Sequence, residues 1–183
     1  MMSRLTRTFA ALAALALVAP ALGAQAPTSG WRAEFITVLN GAESKYVALA
    51  EAMPADKMTW RPGEGVRSVS EVFLHVAGAN YGLAARLGAA APTGVDLRNL
   101  EKSTTDKAEI VRHLRAGFAH FRNAVIAFPE NEPTRMMPFF GGQEVTTRYF
   151  LYFNADHNGE HLGQLIAYAR TNGVRPPWSG GGN

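Results

Sequence analysis

TTRYFLYFNADHNGEHLGQLIAYARTN, residues 146–172, is the stretch whose spacing decides the fold. Its apolar residues recur at intervals of three and four, the period of an amphipathic helix. At 100° per residue, Phe150, Phe153, Asn154, His157, His161, Gln164 and Tyr168 share one stripe. Gly173, Pro176 and Pro177 then stop the helix. An ordinary buried stripe would be Leu, Ile and Ala, yet half of this one is polar. A buried polar group without a partner costs roughly 1–3 kcal/mol, so something must satisfy these side chains. The same turns carry Asp156, Asn158, Gly159 and Gly163, all poor helix formers. Sequence that breaks its own local rule marks a site.

Outward from this helix, three more follow from the same period. One runs from about Trp31 to Met53, with Phe35, Val38, Leu39, Ala42, Tyr46, Leu49 and Met53 on its apolar face and Pro54 as its stop. A second runs from about Val69 to Leu87, opened by Ser68 and Glu71 in a capping-box pattern and ended by Gly88. A third begins near Thr105 and carries Ile110, Leu114, Phe118, Phe121, Val125 and Phe128 before Pro129. No useful strand alternation and no internal repeat appear. An all-α, antiparallel-type four-helix bundle is the economical architecture, one domain over residues 24–183. The joins at 54–68, 88–104 and 129–145 are long for a minimal bundle, which predicts at least one crossover or site-covering loop. The tail from Ser179 to Asn183 is expected to lack fixed structure.

His157 and His161 lie one helical turn apart, about 6 Å in rise. Two imidazoles so placed can converge on one ion at about 2.0–2.1 Å, although such a pair is more often an accident or a hydrogen-bonded core pair than a ligand set. The third histidine shifts the balance. Val72, His75, Val76, Ala79 and Leu83 share a stripe on the second helix, so His75 points into the same core. His75, His157 and His161 are therefore the candidate metal ligands. Glu71, one turn before His75, is either an acceptor for an imidazole N–H or simply the capping partner of Ser68. His113 and His120 are about 10.5 Å apart in rise, too far to share an ion, and read as boundary side chains. Asn80, Tyr81, Asn154, Gln164 and Tyr168 are candidate pocket-lining residues; Asn154, Gln164 and Tyr168 would serve equally as hydrogen-bond partners within the core.

His157-Asn158-Gly159-Glu160-His161 also matches the H-x-x-E-H zinc-peptidase motif, which makes Glu160 a candidate general base. That motif needs a downstream carboxylate ligand, and no Asp or Glu occurs from Leu162 to Asn183. The peptidase is the minor reading.

Composition narrows the remaining choices. At 183 residues, 47% hydrophobic and 18% charged, the chain is long enough for one full core. Residues 1–23 read as a secretory signal peptide, with Arg4 and Arg7, an uncharged run from Phe9 to Ala19 and the small-residue site Ala21-Leu22-Gly23. That run is too short to span a bilayer, so the mature protein is expected to be exported, periplasmic or extracellular, without a membrane partner. Removing Arg4 and Arg7 lowers the formal charge from +3 to +1, and no Lys/Arg cluster occupies one face, so nucleic acid is excluded as an expected partner. With no cysteine, any metal site is built from imidazole, carboxylate and carbonyl groups.

Two stretches resemble the DinB-type metal-binding four-helix proteins. The first is Trp60-Arg61-Pro62 followed by Arg67 to Tyr81, which includes His75. The second runs from His157 to Arg170 and ends in Gly173-Val174-Arg175-Pro176-Pro177-Trp178. The resemblance implies a three-histidine site, usually assigned to zinc or nickel, with coordination left open to water, the arrangement expected of a catalytic zinc. Some members are thiol transferases or thiol-dependent isomerases, and members often form homodimers. Two functions follow as expectations. One is a metal-dependent hydrolase or group transferase acting on a small molecule. The other is a non-catalytic ligand-binding or stress-response protein in which the metal tethers a ligand or stabilises the bundle.

Overall fold

A computed structural model describes residues 26–27, 29–129 and 131–180. The signal peptide read at 1–23 lies outside these residues. Four helices form where the apolar period places them, each within two residues of the expected ends: α1 Gly30–Ala52, α2 Val69–Arg86, α3 Lys107–Ala127 and α4 Thr147–Thr171. The starts of α2, α3 and α4 carry side-chain caps, whereas Ser29 before α1 makes none. Ser68 and Glu71 close a full capping box on α2, Asp106 accepts from the Glu109 N–H on α3, and Thr146 accepts from the Tyr149 N–H on α4.

Cross-helix contacts give the direction of each helix. Arg32 of α1 donates to the Ile126 and Phe128 carbonyls, while Glu51 near the other end pairs with Arg115, so α1 and α3 are antiparallel. His75 meets His157 while Asn80 meets Asn154, so α2 and α4 are antiparallel as well. Trp31 lies beside Arg148 and Tyr46 bonds to Asn158, so α1 and α4 run the same way. It follows that α2 and α3 are parallel, as Ala77 against Gly117 and Tyr81 against His120 also require. The bundle is up-down-down-up, not uniformly antiparallel, and the segment between α2 and α3 is the crossover. That segment does not swing free: Leu100, 4% exposed, anchors its short helical turn Leu100–Lys102 against α2.

The core is aromatic at its centre, with Tyr46, Phe73, Phe118, Phe121 and Phe150 fully buried. Helices α2 and α3 approach closely at Ala77 and Gly117. A Cβ added at Gly117 would stand 2.7 Å from the Ala77 carbonyl oxygen, which leaves room for hydrogen only.

Three expectations need correction. Val38 lies on the predicted apolar face of α1 yet is 57% exposed, at the rim of a surface groove between α1 and α4. The 129–145 join contains a small hairpin, β1 Met136–Pro138 antiparallel to β2 Glu144–Thr146, with Met137 opposite Val145. Its strands are three residues long, too short for alternation to register. Ser179 and Gly180, expected to lack structure, close a helical turn over Pro177–Gly180; residues 181–183 lie outside the described chain. Among the described residues no helix is long and apolar enough to cross a membrane.

Candidate metal centre

Facing each other across the antiparallel seam, α2 supplies His75 and α4 supplies His157 and His161. One ring nitrogen from each comes together, all within 4.8 Å of one another. The Nε2 atoms of His75 and His157 are 3.2 Å apart. Two ligands of a tetrahedral ion with bonds of about 2.0–2.1 Å stand about 3.3–3.4 Å apart, so this pair is already at cis-ligand separation.

The outer nitrogens decide which atoms face inward. Nδ1 of His75 lies 3.1 Å from Glu101 Oε2, and a carboxylate only accepts, so the proton sits on Nδ1 and the Nε2 lone pair is free. Nδ1 of His161 lies 2.9 Å from Gln164 Oε1, whose amide nitrogen donates in turn to the Tyr168 hydroxyl at 2.8 Å. His161 therefore also presents Nε2. Such outer partners orient metal-binding imidazoles and raise their basicity. Trp60 packs edge-on against Tyr168, ring centroids 5.2 Å apart, and ties the loop before α2 to this chain of bonds. Nδ1 of His157 is buried without a partner among the described residues. Without a cation, the Nε2–H of His157 satisfies the bare Nε2 of His75. For both nitrogens to face an ion, that proton must leave or move to Nδ1.

The site disfavours imidazolium. Burial lowers the His157 pKa to about 4, assisted by the charges of His161, His75 and Arg67. Burial likewise lowers that of His75, with Arg67 and His161 adding to the effect and Glu101 opposing it. Neutral imidazoles are what a cation requires. Three inward-facing nitrogens, two of them with fixed tautomers, could hold a metal ion.

Cavities lie at both ends of this cluster. One, of about 560 Å³, is lined by Arg61, Arg67, Glu71, Glu101, Lys102 and Gln164. The other, of about 310 Å³, is lined by Ala79, Leu83, Arg86, Phe140, Phe153 and both His75 and His157. The hairpin supplies Phe140, whose ring lies 4.6 Å below the Arg86 guanidinium, while Arg86 also donates to the Pro138 carbonyl at 3.1 Å. The 129–145 join is thus the site-covering loop.

Of the other residues singled out, Gln164 lines the larger cavity and Tyr168 supports it from behind. Asn80 and Asn154 do not line the cavities that flank the histidines. Asn158 donates to Asn154 and Asn154 to Asn80, each at 3.0 Å, in a buried amide ladder across α2 and α4. Tyr81 faces the other way, stacked 5.2 Å from His120. Glu160 is exposed and outside the histidine cluster, where helix geometry turns it 60° from His157. Glu71 accepts from the Ser68 N–H at 2.7 Å and pairs with Arg61, so it caps α2 and leaves His75 to Glu101. His113 and His120 are boundary residues, the latter bonded to the Ala89 carbonyl. Glu101 is the site residue that periodicity misses. It stands 26 positions from His75 in the crossover, where no repeat points at it.

Four helices around inward-facing histidines define a class of helical bundle that builds its site in the core. This chain belongs to the DinB superfamily, whose sequence profile matches residues 39–165, a span that holds all three histidines. No curated protein matches the sequence. Among solved structures it is similar to a DinB-like protein from Bacillus cereus, at 16% identity over 78% of this chain and 93% of that one, with a TM-score of 0.68. A DinB-like protein from Bacillus subtilis is 23% identical over 76% and 92% of the two chains, TM-score 0.56. A mycothiol-dependent maleylpyruvate isomerase is 17% identical over 73% of this chain and 60% of that one, TM-score 0.57.

Proposed function

We propose that this chain is an exported metalloprotein of the DinB superfamily that binds one divalent ion, zinc or nickel, through Nε2 of His75, His157 and His161 and uses it on a small molecule. The observation that carries the reading is the fixing of two of the three tautomers by Glu101 and Gln164, which leaves lone pairs directed at a common point beside open space. A structural site would be closed by a fourth protein ligand; none stands with these three among the described residues. When bound, such an ion polarises a substrate oxygen and lowers the pKa of a coordinated water or thiol. Hydrolysis or group transfer is the reaction class that this chemistry serves.

The protein's own groups divide the remaining work. Glu101 and Gln164 orient the imidazoles, the buried amide ladder holds α4 in register with α2, and Phe140 and Phe153 limit water on one side. Among the described residues no buried carboxylate stands ready as a general base, and Glu160 is exposed and outside the histidine cluster. Thiol-dependent isomerisation, the chemistry in one structural neighbour's name, is compatible with an open coordination position, but an exported protein would meet little low-molecular-weight thiol. The test is metal content by mass spectrometry on tag-free protein offered zinc, nickel and manganese, beside a His75→Ala/His161→Ala variant. One ion per chain, lost in the variant, is the expected result. No bound metal would make the histidines core polar groups and end the proposal.

A further inference from the structure

The two cavities that flank the histidines differ in chemistry, and their order along the helices is fixed. On α2, Glu71 borders the polar cavity, His75 follows one turn later, and Ala79 and Leu83 border the apolar one. On antiparallel α4 the order is reversed, with Gln164 at the polar cavity, then His161 and His157, and Phe153 at the apolar cavity. The histidines therefore sit midway along one seam, charged at one end and hydrophobic at the other. From Glu71 to Ala79 the seam rises about 12 Å.

In the polar cavity three cations face two carboxylates. Arg61 is committed to Glu71 and to the Val66 carbonyl. Arg67 bonds Glu101 through Nε at 2.7 Å, and among the described residues its terminal nitrogens and the exposed Lys102 ammonium have no partner. Arg67 is separated from His75 by one carboxylate, which accepts from Arg67 Nε at 2.7 Å and from His75 Nδ1 at 3.1 Å, so its unused donors stand close to the site. At the far end, Leu83, Phe140 and Phe153 offer a hydrophobic wall, and the Arg86 guanidinium there lies over the Phe140 ring and donates through one terminal nitrogen to the Pro138 carbonyl.

We infer that the substrate of this site is an elongated organic anion, its carboxylate or phosphate held by Arg67 and Lys102, its apolar body against Leu83, Phe140 and Phe153, and its reacting centre beside the three histidines. The inference rests on the metal-centre reading for the chemistry, whereas the anion subsite exists without the ion. Arginine and lysine donors to a carboxylate or phosphate form charge-assisted bonds stronger than neutral ones, so loss of one is measurable.

The test is calorimetric titration of metal-free and zinc-loaded protein with 6-phenylhexanoate, whose extended length suits the seam, and with its neutral amide, 6-phenylhexanamide. In both forms of the protein the acid is expected to bind at least about tenfold more tightly than the amide. Lys102→Gln and Arg67→Gln should each weaken the acid about tenfold and leave the amide unchanged. Phe140→Ala should weaken both ligands alike. Tighter binding of 6-phenylhexyl phosphate than of the acid would assign phosphate as the anionic group, and the reverse order would assign carboxylate. Equal affinity for acid and amide, binding of neither at millimolar concentration, or indifference to both cation variants overturns the inference. Acid selectivity in a protein that takes up no zinc would instead refute the metal centre alone.

Discussion

Replacing Glu101 with Gln tests how the site is held without touching a proposed ligand. The carboxylate accepts twice, through Oε1 from Arg67 Nε–H at 2.7 Å and through Oε2 from His75 Nδ1–H at 3.1 Å. A carboxamide has one oxygen for those two donors and must turn its NH2 toward the other. The His75 ring then loses either its charged acceptor or its orientation, and the Arg67 charge stands uncompensated beside the site. Loss of such an outer partner costs about 10–100-fold in metal affinity, equivalent to about 1.4–2.7 kcal/mol. Glu101 is about 30% exposed, so solvent screens part of its charge and the lower end, about tenfold, is expected. Competition against a chromophoric zinc indicator reads this directly. A dissociation constant within about twofold of wild type, in a variant whose helical content is intact, would refute the claim that Glu101 organises the centre.

Three further outcomes follow from burial and packing. In metal-free protein, His157 has a folded pKa of about 4, below the ordinary 6.5, so the unfolded chain takes up the proton first. Stability is then complete above pH 6.5 and falls as pH drops toward 4; urea midpoints should decline over that window, and a flat profile, or one equally steep in His157→Asn, would contradict it. Gly117→Ala gains about 1 kcal/mol of helix propensity but drives a Cβ to 2.7 Å from the Ala77 carbonyl. Overpacking of about 1–3 kcal/mol should win and lower Tm by about 2–8 °C, whereas a higher Tm would show that α2 and α3 part easily. Asn154→Ala orphans Asn80 Oδ1 and Asn158 Nδ2 at once and should cost about 2 kcal/mol or more by chemical denaturation; a loss under about 0.5 kcal/mol would mean water replaces the amide.

The helices and the histidines were legible because both rest on local periodicity. Capping residues such as Ser68 and Glu71 and stops such as Pro54 act within a turn of themselves, and the inward face of His75 follows from Val72, Val76 and Ala79. Relations between distant segments were not legible. Nothing in the period of α2 or α3 says that they run parallel, and without that, Glu101 has no reason to be placed beside His75. The polar stripe on α4 was read correctly as needing partners, yet its two halves find different ones: Gln164 bonds His161 at the cavity, while Asn154 turns to Asn80 in the core. Spacing identifies a face and leaves the partner unnamed.

The parallel run of α2 and α3 carries a consequence in chain length. The crossover must climb back alongside an 18-residue helix, about 27 Å, which about eight residues of extended chain would span. Roughly twenty lie between Arg86 and Lys107. The surplus is the slack in which the turn at Leu100, Glu101 and Lys102 forms. Trimming that slack to the minimum would leave the four helices closed on one another, but the His75 ring would lose its tether and the cleft one of its two available cations.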